Sequence, residues 1–195
     1  MKTKTNLLLA LMLISFAPML HAQDFWEQLY FPDTVTIRCL TTNDSGYIFV
    51  GTGYNNEPGG LYRSVDNALS WELVLDAGSF TVQSIAVDEA GKIYIGKTGL
   101  ERFMVSKDNG DTWDVIDLPP PSYSNILKIL CVGLDTIYVS SWESEGAFIT
   151  KSFDGGETWQ PCFITDHQNE YVSDIAISGN DEIFVSVSGF FPDQG

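Results

Sequence analysis

Short apolar runs recur along this chain at a spacing that no amphipathic helix produces. Tyr47-Ile-Phe-Val-Gly51, Lys92-Ile-Tyr-Ile-Gly96, Thr136-Ile-Tyr-Val-Ser140 and Glu182-Ile-Phe-Val-Ser186 follow one another at intervals of 45, 44 and 46 residues. Runs of Val, Ile, Tyr and Phe bounded by Gly, Asp and Asn read as β-strands. The second complete unit predicts four of them: strand a over Val82 to Val87, a turn at Asp88 to Gly91, strand b over Lys92 to Ile95, strand c over Phe103 to Ser106, and strand d over Trp113 to Ile116. Several runs are apolar on both faces, so the sheets they form should be covered on both sides. Beyond the first 23 residues no stretch of useful length carries the period of a helix.

A second signal keeps the same period. Three octapeptides align: Ser64-Val-Asp66-Asn-Ala68-Leu-Ser70-Trp71, Ser106-Lys-Asp108-Asn-Gly110-Asp-Thr112-Trp113 and Ser152-Phe-Asp154-Gly-Gly156-Glu-Thr158-Trp159. Their tryptophans stand 42 and 46 residues apart. Four-stranded units repeating every 40 to 50 residues describe the blades of a β-propeller. The expected fold is therefore all-β, a β-propeller of four-stranded antiparallel blades. A short carboxylate in the turn from strand c to strand d can accept hydrogen bonds from backbone N–H groups that no strand reaches. The Ser or Thr hydroxyl can do likewise, and Gly supplies unusual dihedrals. Asp66, Trp71, Asp108, Gly110, Thr112, Trp113, Asp154, Gly156, Thr158 and Trp159 are therefore expected to be structural, the tryptophan opening strand d and burying its ring between blades. Calcium is the sharper alternative at Asp108-Asn-Gly-Asp111, although the spacing of an EF-hand loop is missing.

The pattern Ser-x-Asp-x-Gly-x-Thr-Trp resembles the Asp-box, or bacterial neuraminidase repeat (BNR), of sialidases, some xyloglucan-cleaving glycosidases, sortilin-like receptors and photosystem II assembly-factor propellers. The second and third copies match at every defined position. The first departs, with Ala68 for Gly and Ser70 for Thr, and if that Gly needs positive φ then Ala68 is mildly strained. The resemblance covers most of residues 24–195 and implies fold more than activity, because the box recurs in proteins of unrelated function.

Composition then narrows the field. With 10 basic and 26 acidic residues the net charge is −16, which argues against nucleic acid and anionic membrane as partners. At 44% hydrophobic the chain is too apolar for a disordered acidic tail. Residues 1–23 carry Lys2 and Lys4, an apolar run from Leu7 to Leu20, and His21-Ala22-Gln23, the form of a secretory signal peptide. Cleavage near Gln23 gives a secreted, periplasmic or cell-surface chain with no membrane insertion, a buried N-terminal helix being the other reading. Cys39, Cys131 and Cys162 are odd in number and lack C-x-x-C spacing, so buried thiols are expected rather than a disulfide framework or a zinc site. Nothing in the sequence asks for a cofactor or metal.

Residues 24–195 hold three full repeats and a partial fourth that stops after strand b. Trp26-Glu-Gln-Leu29 copies the strand d signature of Trp71-Glu-Leu-Val74 with no strand before it, as a segment that closes the last blade of a ring would. The expectation is the N-terminal part of a longer propeller; a closed four-blade ring is the alternative. Strands that reverse in turn put the b-to-c and d-to-a loops at one end of the blades, and variable loops on a rigid frame are where binding sits. Tyr54, Tyr123, Trp142, Phe190, Asp166 and His167 are the loop-end binding candidates, suited to glycan or peptide. Loop packing is the plainer role for each aromatic.

No catalytic residue is assigned. The Phe/Tyr-Arg-Ile-Pro motif of the sialidases that carry this repeat is missing, since Arg38, Arg63 and Arg102 precede Cys, Ser and Phe. No nucleophile signature accompanies His167. The sequence thus favours a secreted or surface binding and interaction module for a glycan or protein ligand. Its alternatives are a sialidase- or xyloglucanase-like glycoside hydrolase whose catalytic residues lie partly outside these 195, and an assembly factor.

Overall fold

The computed structural model describes residues 28–32, 34–54, 57–99, 102–120, 125–143, 146–165, 170–179 and 182–189. The leader expected over residues 1–23 lies outside them, as does Trp26. Every regular element described is a strand. The first sheet holds β1 (Ile37–Thr42), β2 (Ile48–Thr52), β3 (Gly59–Ser64) and β4 (Glu72–Gly78). The second holds β5 (Val82–Val87), β6 (Ile93–Lys97), β7 (Phe103–Ser106) and β8 (Asp114–Val115). The third holds β9 (Asn125–Val132), β10 (Thr136–Glu143), β11 (Gly146–Ser152) and β12 (Gln160–Ile164). The fourth pairs β13 (Glu170–Ile177) with β14 (Ile183–Gly189). Strands follow chain order within each sheet, and every pair is antiparallel.

The strands named in advance for the second unit fall where the alternation put them, shifted by one or two residues at b and d. Trp71, Trp113 and Trp159 each stand one residue before their last strand rather than inside it. A larger departure occurs in the third sheet, where the sequence places Trp142 at a loop end. Instead Ser141 and Trp142 pair with Phe148 and Ala147 on one side and with Ile126 and Asn125 on the other. With both backbone edges laddered and no Gly or Pro before Gly146, the strand continues to Glu143.

The core lies between sheets, not within one. Phe49 and Leu61 of the first sheet bury against Val82, Ile93, Ile95 and Met104 of the second. Tyr94, Phe103 and Val105 then meet Ile126, Ile129, Ile137 and Val139 of the third, and Tyr138 and Ile149 meet Val172 and Ile175 of the fourth. All of β6 is buried, as a strand sandwiched on both faces must be. β5 contacts β1 and β9, and β9 contacts β13, so the first strands of successive sheets share one inner side.

Close approach of the next sheet depends on Gly51 in the first unit and Gly96 in the second. A Cβ on Gly96 would stand 2.3 Å from Ile126 Cγ2, and one on Gly51 would stand 2.7 Å from Val82 Cγ1. In these two units the glycine that ends the repeated strand-b run is therefore the seat for the next sheet's first buried residue.

The cysteine reading needs one correction. Cys39 and Cys131 are largely shielded, whereas Cys162 is exposed because β12 is an edge strand whose residues 160–163 all face solvent. All three thiols are free.

Candidate functional site

The two ends of the sheets differ in chemistry. At one end the octapeptides close on themselves. Asp108 accepts the Thr112 hydroxyl at 2.5 Å, the Thr112 N–H at 2.9 Å and the Ser106 hydroxyl at 2.8 Å, while Ser106 Oγ accepts the Gly110 N–H at 2.8 Å. Asp154 repeats the set with Thr158, Ser152 and Gly156, and Asp66 with Ser70, Ser64 and Ala68. The Thr hydroxyls first, then the Thr backbone N–H groups, hold Asp108 and Asp154 down to about 2, and the same bonds from Ser70 lower Asp66. A carboxylate ionised to that depth neither gives nor takes a proton near neutrality.

The turn forces two consecutive residues into positive φ: Asn67 and Ala68, Asn109 and Gly110, Gly155 and Gly156. Trp113 and Trp159 donate Nε1–H to the carbonyls of Gly110 and Gly156, but Trp71 donates to Tyr30 O and meets the Phe31 ring at 5.2 Å. Asp111, where the calcium alternative would place an ion, instead receives Arg63 Nη1 at 2.7 Å. The same nitrogen also donates to Asn109 O, and Nη2 pairs with Glu72. That arginine joins the first sheet to the second sheet's turn.

The opposite end carries an open cleft of about 440 Å³ between the first and second sheets. The b-to-c loop of the first sheet supplies Tyr54, the d-to-a connection supplies Phe80 and Thr81, and the second sheet's b-to-c loop supplies Thr98 and Gly99. Arg38 from β1, Gln83 from β5 and Ser79 complete it. Arg38 Nε and Nη2 both donate to Gln83 Oε1, at 3.2 and 3.1 Å, and the guanidinium lies 5.7 Å over the Tyr54 ring. Beside it Lys97 Nζ stands 5.5 Å over the Phe80 ring, its side chain buried in β6. Thr98 Oγ1 accepts the Thr81 N–H at 2.9 Å, which pins one connection to the other. None of the described lining residues is a carboxylate.

Of the loop-end candidates, Tyr54 is in this cleft. Trp142 is half-buried in β10 of the third sheet and does not line it. Tyr123, Asp166, His167 and Phe190 lie outside the described residues. Sequence reasoning passed over Arg38, Gln83 and Phe80 as binding candidates. A usable signal existed: Arg38 and Gln83 each precede the strand-a residue that faces the small residue of strand b, Cys39 opposite Gly51 and Ser84 opposite Gly96. They occupy equivalent positions of adjacent units, so the shared inner side brings them together. Among the described residues no three His, Cys, Asp or Glu side chains converge to hold a metal.

No family model and no curated protein matches this chain. Solved structures do. YCF48 bound to D1 peptide superposes with a TM-score of 0.63 at 20% identity, over 89% of this chain and 55% of that one. An ancestral GH74 enzyme superposes at 0.58 and 22% identity, over 80% of this chain and 22% of that one. The GH74 xyloglucanase from Xanthomonas campestris gives 0.58 at 16%, over 74% and 25%. The chain thus spans about half the length of the first of these and a quarter or less of the others. At such identities the likeness is one of fold: an all-β arrangement of four-stranded antiparallel propeller blades.

Proposed function

We propose that this chain is a secreted or cell-surface propeller module that binds a protein or glycan ligand at its loop end and has no catalytic centre of its own. One observation carries the reading. Asp66, Asp108 and Asp154 of the repeated turns are consumed by local hydrogen bonds, while the open cleft at the other end offers Arg38, Tyr54, Gln83 and Thr98 with no carboxylate among its described lining residues to act as acid, base or nucleophile. The sealed turns support a second inference, that the octapeptides are Asp-boxes acting as structural ties. The YCF48 structure holds a D1 peptide, which supports peptide binding by a frame of this shape. The basic and apolar leader supports export.

The full chain should be screened on a peptide array, a glycan array and a panel of fluorogenic glycosides, with its leader assayed by fractionation of an expressing culture. Binding without hydrolysis, and recovery of leader-less chain outside the cytosol, are expected. Hydrolysis that disappears on Glu143→Gln or Asp166→Asn would replace this reading with that of a glycoside hydrolase. Retention of the uncleaved chain inside the cell would remove the export.

A further inference from the structure

Both aromatic rings of the cleft already hold cations. Arg38 sits over Tyr54 and Lys97 over Phe80. A ring face occupied by a cation is not free to stack on the C–H face of a sugar; it instead fixes the cation's position. Gly99 backs the Phe80 ring so closely that a Cβ there would stand 2.2 Å from Phe80 Cδ1. Phe80 is thus a support for charge, and Tyr54 gives one face to Arg38.

Arg38, like Lys92, Arg102 and Lys151, carries a charge that no described carboxylate pairs. With 26 acidic residues to 10 basic, carboxylates are plentiful. Arg63 takes two of them, and Lys107 and Lys128 take one each. Arg38 is in none of the ion pairs among the described residues, and the acceptor it uses is a neutral amide oxygen. That amide occupies the side edge of the guanidinium, Nε with one hydrogen of Nη2. No described residue takes the outer fork formed by Nη1 and Nη2, and its two parallel N–H groups match a carboxylate in bidentate geometry.

We propose that the cleft is a carboxylate receptor, in which the Arg38 fork takes a peptide carboxylate while Gln83 and Tyr54 hold the guanidinium in place. The proposal rests on the binding-module reading and adds the ligand's chemistry to it. A single negative charge suits the site better than a dianion, because the surrounding chain is itself strongly acidic and repels excess charge. Arg38 is the binding residue; Gln83 and Tyr54 are positioning residues.

The test is an NMR titration of the isotope-labelled full chain with N-acetyl-leucine, whose carboxylate is free, against N-acetyl-leucinamide, identical but uncharged. The acid should move the Arg38 Nε–H and Gln83 side-chain amide resonances and bind roughly tenfold or more tightly than the amide, with the gap narrowing as salt rises. Arg38→Gln should erase the difference, and Arg38→Lys should keep the charge yet bind several-fold more weakly because the fork is gone. Arg38 is exposed, so both variants should retain the parent melting temperature. Equal binding of acid and amide, or tighter binding of glucuronate or inorganic phosphate than of N-acetyl-leucine, overturns the proposal. If array ligands bind and survive Arg38→Gln, the module stands and the carboxylate assignment falls. If no peptide or glycan binds at all, the module reading falls first.

Discussion

The Phe103 ring of the second blade meets the Trp159 indole of the third edge to face, with centroids 5.4 Å apart and planes at 87°. Phe103 is 1% exposed, and Trp159 is anchored from the other side by its bond to Gly156 O. The contact ties a strand-c residue of one blade to the tryptophan that closes the repeated turn of the next. Phe31 meets Trp71 in the same manner at the first blade, although it comes from the segment before that blade.

Truncating this contact should therefore loosen a blade interface rather than one sheet. Phe103→Ala should cost about 3–5 kcal/mol in urea unfolding, from lost transfer energy and the cavity left behind. A double-mutant cycle with Trp159→Leu should return a coupling of about 0.5–1.5 kcal/mol, the part belonging to ring geometry. Strict additivity would mean that the two rings stabilise their own blades separately.

The close seat at Gly96 should reject any added side chain. Gly96→Val should destabilise the chain by about 1–3 kcal/mol, since its Cβ would meet Ile126 well inside van der Waals distance. Shortening the partner, Ile126→Ala, should restore part of that loss in the double variant. Neutral behaviour of Gly96→Val would refute the packing argument.

Ala68 has φ 65° where the other turns use glycine at 94°. A non-glycine residue in that region carries a penalty of about 1–2 kcal/mol. Ala68→Gly should recover about 1 kcal/mol net of the lost buried methyl, and differential scanning calorimetry should show a melting temperature roughly 2–4 °C higher.

Acid should open the turns late. Asp108 and Asp154 have pKa values held near 2 in the folded chain, below an ordinary carboxylate. Their stabilisation is thus fully present above about pH 4 and lost as the pH falls towards 2. In Thr112→Val and Thr158→Val, which lack the first cause of the depression, the loss should be smaller and should end at a higher pH. Urea unfolding midpoints between pH 2 and 5 measure it, and identical profiles for parent and variants would contradict the assignment.

The thiols should divide two to one. Burial pushes Cys39 and Cys131 up to about 12, leaving almost no thiolate at pH 8, while Cys162 faces solvent. Native protein should react with Ellman's reagent at a single cysteine, with the other two following only on unfolding. Three equivalent fast thiols would show that the inner strands open freely.

Part of the site was within reach of sequence. Tyr54 is legible as an aromatic in a Gly-rich connection between two strands, and the structure places it in the cleft. Arg38 and Gln83 read as ordinary strand residues, because alternation along one strand says which face a side chain takes and nothing about its neighbour 45 residues away. Trp142 reads as a loop residue because Ser-Ser-Trp lacks the usual apolar density of a strand. Pairing on both edges overrode that local preference.

By itself the sequence determined the strand period, the four-strand unit and the chemistry of the repeated turns. Those depend on neighbours two to four residues apart, where covalent geometry leaves few alternatives. Only the tertiary structure decided which faces meet: Gly96 on Ile126, Phe103 on Trp159, and Arg38 on Gln83 above Tyr54. A period shows which residues are equivalent, but the distance and angle between successive sheets come from packing side-chain volumes, and the cleft exists only once that packing is complete.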